Sequence, residues 1–352
     1  MMDGSTHSAQ QPSIGSRITG HRSPITDHGT PGRSCPPHYG YSPRVFARPA
    51  EVAADTVYVI GGLYGNLPAL DEIERMAALE PTEPRLIFNG DFHWFDVAPD
   101  LFAQVQARVL EARHLVLRGN VETEIASDSD AAGCGCAYPE SVPDDDVARS
   151  NAILQRLRGA ADHGQRKALA ALPMHAVAQV GDSRIGVVHG DAWSLAGWRF
   201  AQDALFDDAQ SAQLEHAFAL AAVDGFASSH TCLPALKLAQ HDARERFVIN
   251  NGAAGMPNFA GARGGLISRI SLLPVPAALA DARAYGADVA GVYVDALAVN
   301  FDFETWRRMF LDQWPVGSDA HVSYFGRIVA GPAFTVADAL GHGGTRSCAL
   351  AA

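Results

Sequence analysis

The sequence predicts an α/β protein built from two packed sheets with helices outside, and three observations point there. Short aliphatic runs alternate with amphipathic stretches through the first half of the chain, as in a partly parallel sheet. From about residue 176 strand-like runs follow one another with few long helices between them. Compact polar clusters sit where those runs end. In chain order, VYVI at 57–60 reads as a buried strand. Leu70, Ile73, Met76 and Leu79 then share one helical face, with Pro68 suited to a first turn. RLIF at 85–88 is the next strand, 101–112 the next helix and HLVL at 114–117 a third strand. Residues 176–180 and 184–188 flank Gly181-Asp182-Ser183 as a hairpin. Further strands are expected at 225–228, 247–249, 266–271 and 291–299, and helices over 200–222 and 303–312. Residues 1–50, rich in Ser, Thr, Gly, Pro and His without a period, read as a flexible arm docked in part through 35–41. Residues 51–335 form one domain and 336–352 a loose tail.

Composition narrows the function. The chain has 352 residues, with 39 acidic against 27 basic side chains and a net charge of −12, which argues against nucleic acid and anionic lipid as partners. No apolar run approaches the ~18 residues of a membrane span, and MMDGSTHSAQ lacks the basic start and apolar stretch of a secretory signal. Five cysteines do not make a disulfide framework. A cytoplasmic enzyme or binding protein is expected.

Five expected strands end in polar clusters: residues 62–66, Asn89-Gly90-Asp91, Arg118-Gly119-Asn120, His189-Gly190-Asp191 and Ser229-His230-Thr231-Cys232. Ligands of open α/β sheets bind beyond the carboxyl ends of strands, and adjacent glycines let the chain turn side chains inward. Five such ends argue for one shared site. In order, the blocks GGLYGNLPAL, NGDFHWFD, RGNVETE, VVHGDA and SHTCLP resemble those of the calcineurin-like metallophosphoesterase superfamily, D-x-H-G-N, G-D, G-N-H-D, H-G and G-H-x-H. VINNGAAGMP and VYVDALAVNFDFETW extend the resemblance, which spans residues 55 to 312. It implies a four-layer α/β/β/α sandwich of two mixed sheets flanked by helices. It also implies a small phosphorylated substrate, a phosphomonoester or phosphodiester, hydrolysed by a metal-bound hydroxide.

The same resemblance assigns one divalent ion to Asp91, Asn120, His189 and His230, a donor set suited to Mn²⁺, Fe²⁺ or Zn²⁺. The other ion is short of ligands. Gly62 and Tyr64 stand where the family has Asp and His, Cys232 replaces its last His, and Val121 replaces the His of G-N-H-D. One ion is therefore expected rather than two, with Asn66 and Tyr64 orienting phosphate oxygens beside Asp91. A remodelled second position on Tyr64, His93 and Cys232 is the alternative. A different class is an inactive phosphoesterase-fold protein that binds a ligand or partner.

Plainer roles stand beside these. Each histidine ends an apolar run and could bond only backbone, and Asp91 could cap a helix. Tyr64 could be a packed aromatic and Cys232 a small buried hydrophobe. Cys35, His38, Cys134 and Cys136 supply three thiols and an imidazole for a structural zinc, against reduced cysteines in loops. The acidic stretch 128–146 reads as a solvated, flexible loop, with Glu122 and Glu124 near enough to Asn120 to line the site. Trp193, Trp198 and Arg199 are candidates to stack on or pair with a substrate, or to be core. A dinucleotide fingerprint fails at its first glycine, which is Ile60, and no G-x-S-x-G occurs.

Overall fold

Side-chain alternation along the strand Thr56–Ile60 sets the layers. Val57 and Val59 enter the core between two sheets, while Tyr58 and Ile60 join Leu70, Ile73 and Met76 of the helix Leu67–Ala77 on the outer side. The computed structural model describes residues 30–342. One six-stranded sheet has the spatial order Val52–Ala53, His175–Val180, Ser183–Val188, Gly225–Ser228, Arg244–Asn251, Pro234–His241. The other has the order Arg283–Val289, Val292–Val299, Gly265–Ser271, Thr56–Ile60, Arg85–Asn89, Leu115–Leu117. Both are mixed. Valine, isoleucine and alanine from the two inner faces, among them Ile87, Val187, Ala227, Ile249 and Ile270, make the central core. Helices Leu67–Ala77, Pro99–Val109, Phe303–Gln313 and Asp319–Ala330 cover one outer face, and Ser211–Ala221 covers the other with Phe46, Phe200 and Phe226. The result is the α/β/β/α sandwich.

In each sheet three neighbouring strands run parallel: Thr56–Ile60, Arg85–Asn89 and Leu115–Leu117 in one, Ser183–Val188, Gly225–Ser228 and Arg244–Asn251 in the other. Their carboxyl ends meet at one edge. Asn89 Nδ2 donates to Val188 O (2.6 Å) and Asn251 Nδ2 to Gly61 O (2.9 Å), tying strand ends across the sandwich.

Several elements differ from expectation. The helix expected over 200–222 is broken into Gln202–Leu205, a 3-10 turn Asp208–Gln210 and Ser211–Ala221, because the Asp207 side chain caps Ala209 N–H (2.9 Å) and restarts the chain. Three strands without an expectation, Val52–Ala53, Pro234–His241 and Arg283–Val289, lie at sheet edges and are short or bury only part of their length, so none shows a continuous apolar run. The acidic stretch is not a solvated loop throughout. Its last three aspartates open the helix Asp144–Ala160, where the helix dipole favours them, and Cys134, Cys136, Tyr138 and Val142 before it are buried. The described part of the arm docks well beyond 35–41: Tyr39 and Phe46 are fully buried, and Gly40 bridges Ser194. Residues 1–29 of the expected arm and 343–352 of the expected tail lie outside the described residues; Val336–Ala339 forms a capped helical turn. Among the described residues no helix is long and apolar enough to cross a membrane.

Candidate metal centre

The turns after four of the parallel strands deliver the four residues. Asp91 follows Arg85–Asn89, Asn120 opens the short helix Asn120–Ala126 past Leu115–Leu117, His189 follows Ser183–Val188, and His230 follows Gly225–Ser228. Asp91 is held at φ 54°, a conformation unfavourable for a residue with a side chain. Glu122 fixes it there. Its buried carboxylate accepts the backbone N–H groups of Asp91 (2.8 Å), Phe92 (3.0 Å), His93 (3.3 Å) and Gly119 (2.8 Å), clamping two strand-end turns together. Asp91 Oδ1 accepts Val121 N–H (3.2 Å). The turns approach so closely that a Cβ on Gly119 would stand 2.2 Å from Asp91 Oδ1 and 2.9 Å from His189 Cε1.

His189 Nδ1 lies 2.8 Å from Asn89 O, and a carbonyl only accepts, so Nδ1 carries the proton. His230 Nε2 lies 3.1 Å from Cys136 O and is protonated for the same reason. Asn120 Nδ2 donates to Cys134 O at 2.9 Å, which turns its Oδ1 inward. The atoms left over all face one another. His189 Nε2 is 3.1 Å from Asn120 Oδ1, 3.2 Å from His230 Nδ1 and 3.3 Å from Asp91 Oδ2. Four lone-pair donors therefore converge without a proton among them, a repulsive arrangement unless a positive charge sits in the middle. Contacts of 3.1–3.3 Å are also the spacing of ligands around an ion with bonds of about 2.0–2.2 Å. Asp91, His189 and His230 offer ligand atoms all within 4.8 Å of one another, and the donor set fits a divalent cation. Without one, the cluster draws a proton to His189. Burial pulls its pKa down, but the Asp91 carboxylate and the Asn89 carbonyl more than offset this and raise it. Burial, and then His189, push His230 down to about 3.

The other half of the strand-end cluster is different. Gly62 turns at φ 67°, and a Cβ on it would meet the Tyr64 ring at 2.9 Å, so the tyrosine covers the place where a carboxylate side chain would start. Tyr64 Oη and Cys232 Sγ lie 3.1 Å apart, and Cys232 Sγ also donates to His230 O (3.3 Å). Burial, with Cys232 and Asp91, drives Tyr64 well above the usual phenol range, and burial raises the Cys232 thiol despite Arg327 nearby. Both groups hold their protons at neutral pH.

The remaining candidates are placed as follows. Asn66 spends both ends of its amide on backbone, accepting from Ala69 N–H and donating to Gly255 O, each at 2.9 Å. His93 is buried, 2.5 Å from Asp96 through Nδ1 and stacked on Phe102, and its Nε2 has no hydrogen-bond partner among the described residues. Cys35, His38, Cys134 and Cys136 are not brought together as a ligand group among the described residues. Cys35 is exposed with its sulfur 3.1 Å from Ser194 Oγ, whereas Cys134 and Cys136 are buried beneath the donor cluster. Trp198 packs edge-on against the His230 ring (5.5 Å) and donates to Cys136 O (3.0 Å), while Arg199 lies over Trp193.

No family model matches this chain, and no curated protein does. Among solved structures, a hypothetical protein of Pyrococcus horikoshii is 17% identical with a TM-score of 0.53, the match covering 79% of this chain and 99% of that one. At that identity the likeness is one of fold alone. A metallophosphoesterase of Sphaerobacter thermophilus is 16% identical with a TM-score of 0.49, over 79% of this chain and 99% of that one.

Within this two-sheet sandwich, sequence reasoning missed the parts that orient the donors. The Cys134-Gly135-Cys136 turn acts through its carbonyls, which hold Asn120, His230 and Trp198, and not through a thiol pair. Gly135 makes this approach possible: at φ 66°, a Cβ there would stand 2.3 Å from Tyr39 Oη. Tyr39 in turn donates to Glu124 (2.6 Å), so the arm buttresses the site. The isolated glycine between the two cysteines was the available signal.

Proposed function

We propose that the chain is a metal-dependent phosphoesterase acting on a small phosphorylated substrate with one cation at Asp91, Asn120, His189 and His230. The observation that carries this reading is the convergence of four lone-pair donors whose other polar atoms are committed elsewhere. A divalent ion bound there supplies Lewis-acid polarisation of a phosphoryl oxygen and a lowered water pKa. The chain itself supplies the rest. The carbonyls of Asn89, Cys134 and Cys136 fix the rings and the amide, and Glu122 fixes the turn that carries Asp91. Tyr64 stays protonated at neutral pH and serves as a neutral donor, not as a base. Neither histidine has a nitrogen to spare for proton transfer once the ion is held.

The inactive, ligand-binding reading is favoured by one feature, the Tyr64 ring lying over Gly62. Turnover separates the two. The purified chain, given Mn²⁺, Fe²⁺ or Zn²⁺, is expected to hydrolyse a generic phosphomonoester or phosphodiester, and Asp91→Asn to lower the rate by more than ~100-fold. A chain that binds the ion yet turns over neither ester with any metal is a binding module.

A further inference from the structure

Arg327 is unexplained by the metal centre. It lies on the helix Asp319–Ala330, one turn after Tyr324, and that helix is fixed by Tyr324 against Phe95 (5.2 Å) and by Arg149 donating to Ser323 (2.7 Å). The residue is only 4% exposed. Its Nε donates to Pro257 O (3.1 Å) and its Nη2 to Cys232 O (2.6 Å), two residues past His230. Cys232 is the residue whose sulfur touches Tyr64, so the guanidinium stands beside the half of the site that lacks metal ligands. Among the described residues its two hydrogen bonds both go to backbone carbonyls, and no ion pair joins it to a carboxylate. A buried guanidinium without a counter-charge is costly, and two carbonyls give it no compensating negative charge. Its planar fork matches a phosphate oxygen pair.

We propose that Arg327 binds a phosphoryl oxygen of the substrate, on the side of the site away from the cation at Asp91, Asn120, His189 and His230. Its fixed positive charge stands in for the ion that Gly62, Tyr64 and Cys232 do not support. This deepens the phosphoesterase reading and rests on it. The substrate class that follows is a phosphoester with at least two unesterified or charged phosphoryl oxygens facing the protein, one for the cation and one for the guanidinium.

The test uses the full chain, titrated by calorimetry first with Mn²⁺ alone and then, Mn²⁺-loaded, with inorganic phosphate. Arg327→Met is expected to take up Mn²⁺ as the wild type does but to bind phosphate about 10- to 100-fold more weakly, with Arg327→Lys recovering part of the loss. A purely tethering arginine would lower the melting temperature and leave phosphate affinity of the folded protein unchanged, and phosphate bound within about twofold of wild type overturns the proposal while leaving the metal centre intact. A wild type that takes up no divalent cation overturns the reading beneath it, and this proposal with it. If Arg327→Met does not fold, wild type labelled with ¹⁵N-arginine gives the answer. The guanidinium resonance missing from Arg327→Lys should shift when phosphate is added, and a resonance that stays in place overturns the proposal.

Discussion

On one side of the strand-end cluster, His189 and His230 each give a proton to a main-chain carbonyl and turn the other nitrogen inward. On the other side, Tyr64 and Cys232 lie within hydrogen-bonding distance of each other, next to a glycine that offers no side chain. Both sides are made from turns after parallel strands, and both use left-handed backbone to reach the same edge of the sandwich. Position in the fold therefore does not make a ligand. What differs is what each half leaves facing inward: bare nitrogen lone pairs in one, and in the other a protonated hydroxyl and thiol hydrogen-bonded to each other and to His230 O.

The strongest way to break this contrast is metal content. His189→Ala with His230→Ala is expected to abolish the bound ion, from about one per chain to background, by mass spectrometry of dialysed protein. Tyr64→Phe with Cys232→Ser should leave it at one. Loss of the ion in the second pair would make the tyrosine half a ligand set after all.

Next in size is the acid stability of the metal-free protein. His230 is pushed down to about 3 in the folded chain, so below its ordinary pKa the unfolded chain binds a proton that the folded chain refuses. Stability should fall as pH drops from about 6.5 to about 3, by up to about 5 kcal/mol, and the slope should flatten in His230→Gln when melting is followed across pH. His189 works in a separate window. Its raised pKa adds stability that is fully present below its ordinary value and is lost as pH rises through the raised one.

A smaller effect tests the carbonyl cradle. Gly135→Ala pushes a Cβ into Tyr39 and moves the carbonyls behind Asn120 and His230, so metal affinity should weaken about 10- to 100-fold with the ligands untouched. The smallest concerns the other half: Gly62→Ala, at φ 67° and against the Tyr64 ring, should cost about 1–2 kcal/mol in denaturant unfolding while metal stoichiometry is unchanged.

The donor cluster was legible because Asp91, Asn120, His189 and His230 each end a strand in an order that the sequence displays. The sandwich was legible because its central strands are buried on both faces and read as apolar runs, as VYVI does. Edge strands such as Arg283–Val289 bury too little to leave that mark. Arg327 was invisible for another reason. It is a lone cation in an otherwise apolar helical stretch, beyond the segment with recognisable blocks, and nothing local separates it from a surface arginine. Cys134 and Cys136 misled in the opposite direction, since sequence advertises sulfur and the fold uses the carbonyl oxygens. Asn66 stands in the first block and is spent on the helix it starts.

Tyr64, Asp91, His230 and Cys232 all hold positive φ without being glycine, at 57°, 54°, 21° and 60°. Glycine at any of them would ease the backbone at the expense of the group it carries. A laboratory screen that rewards heat resistance and ignores turnover would thus be pulled toward the same few positions, and its winners would be sturdier and chemically blank.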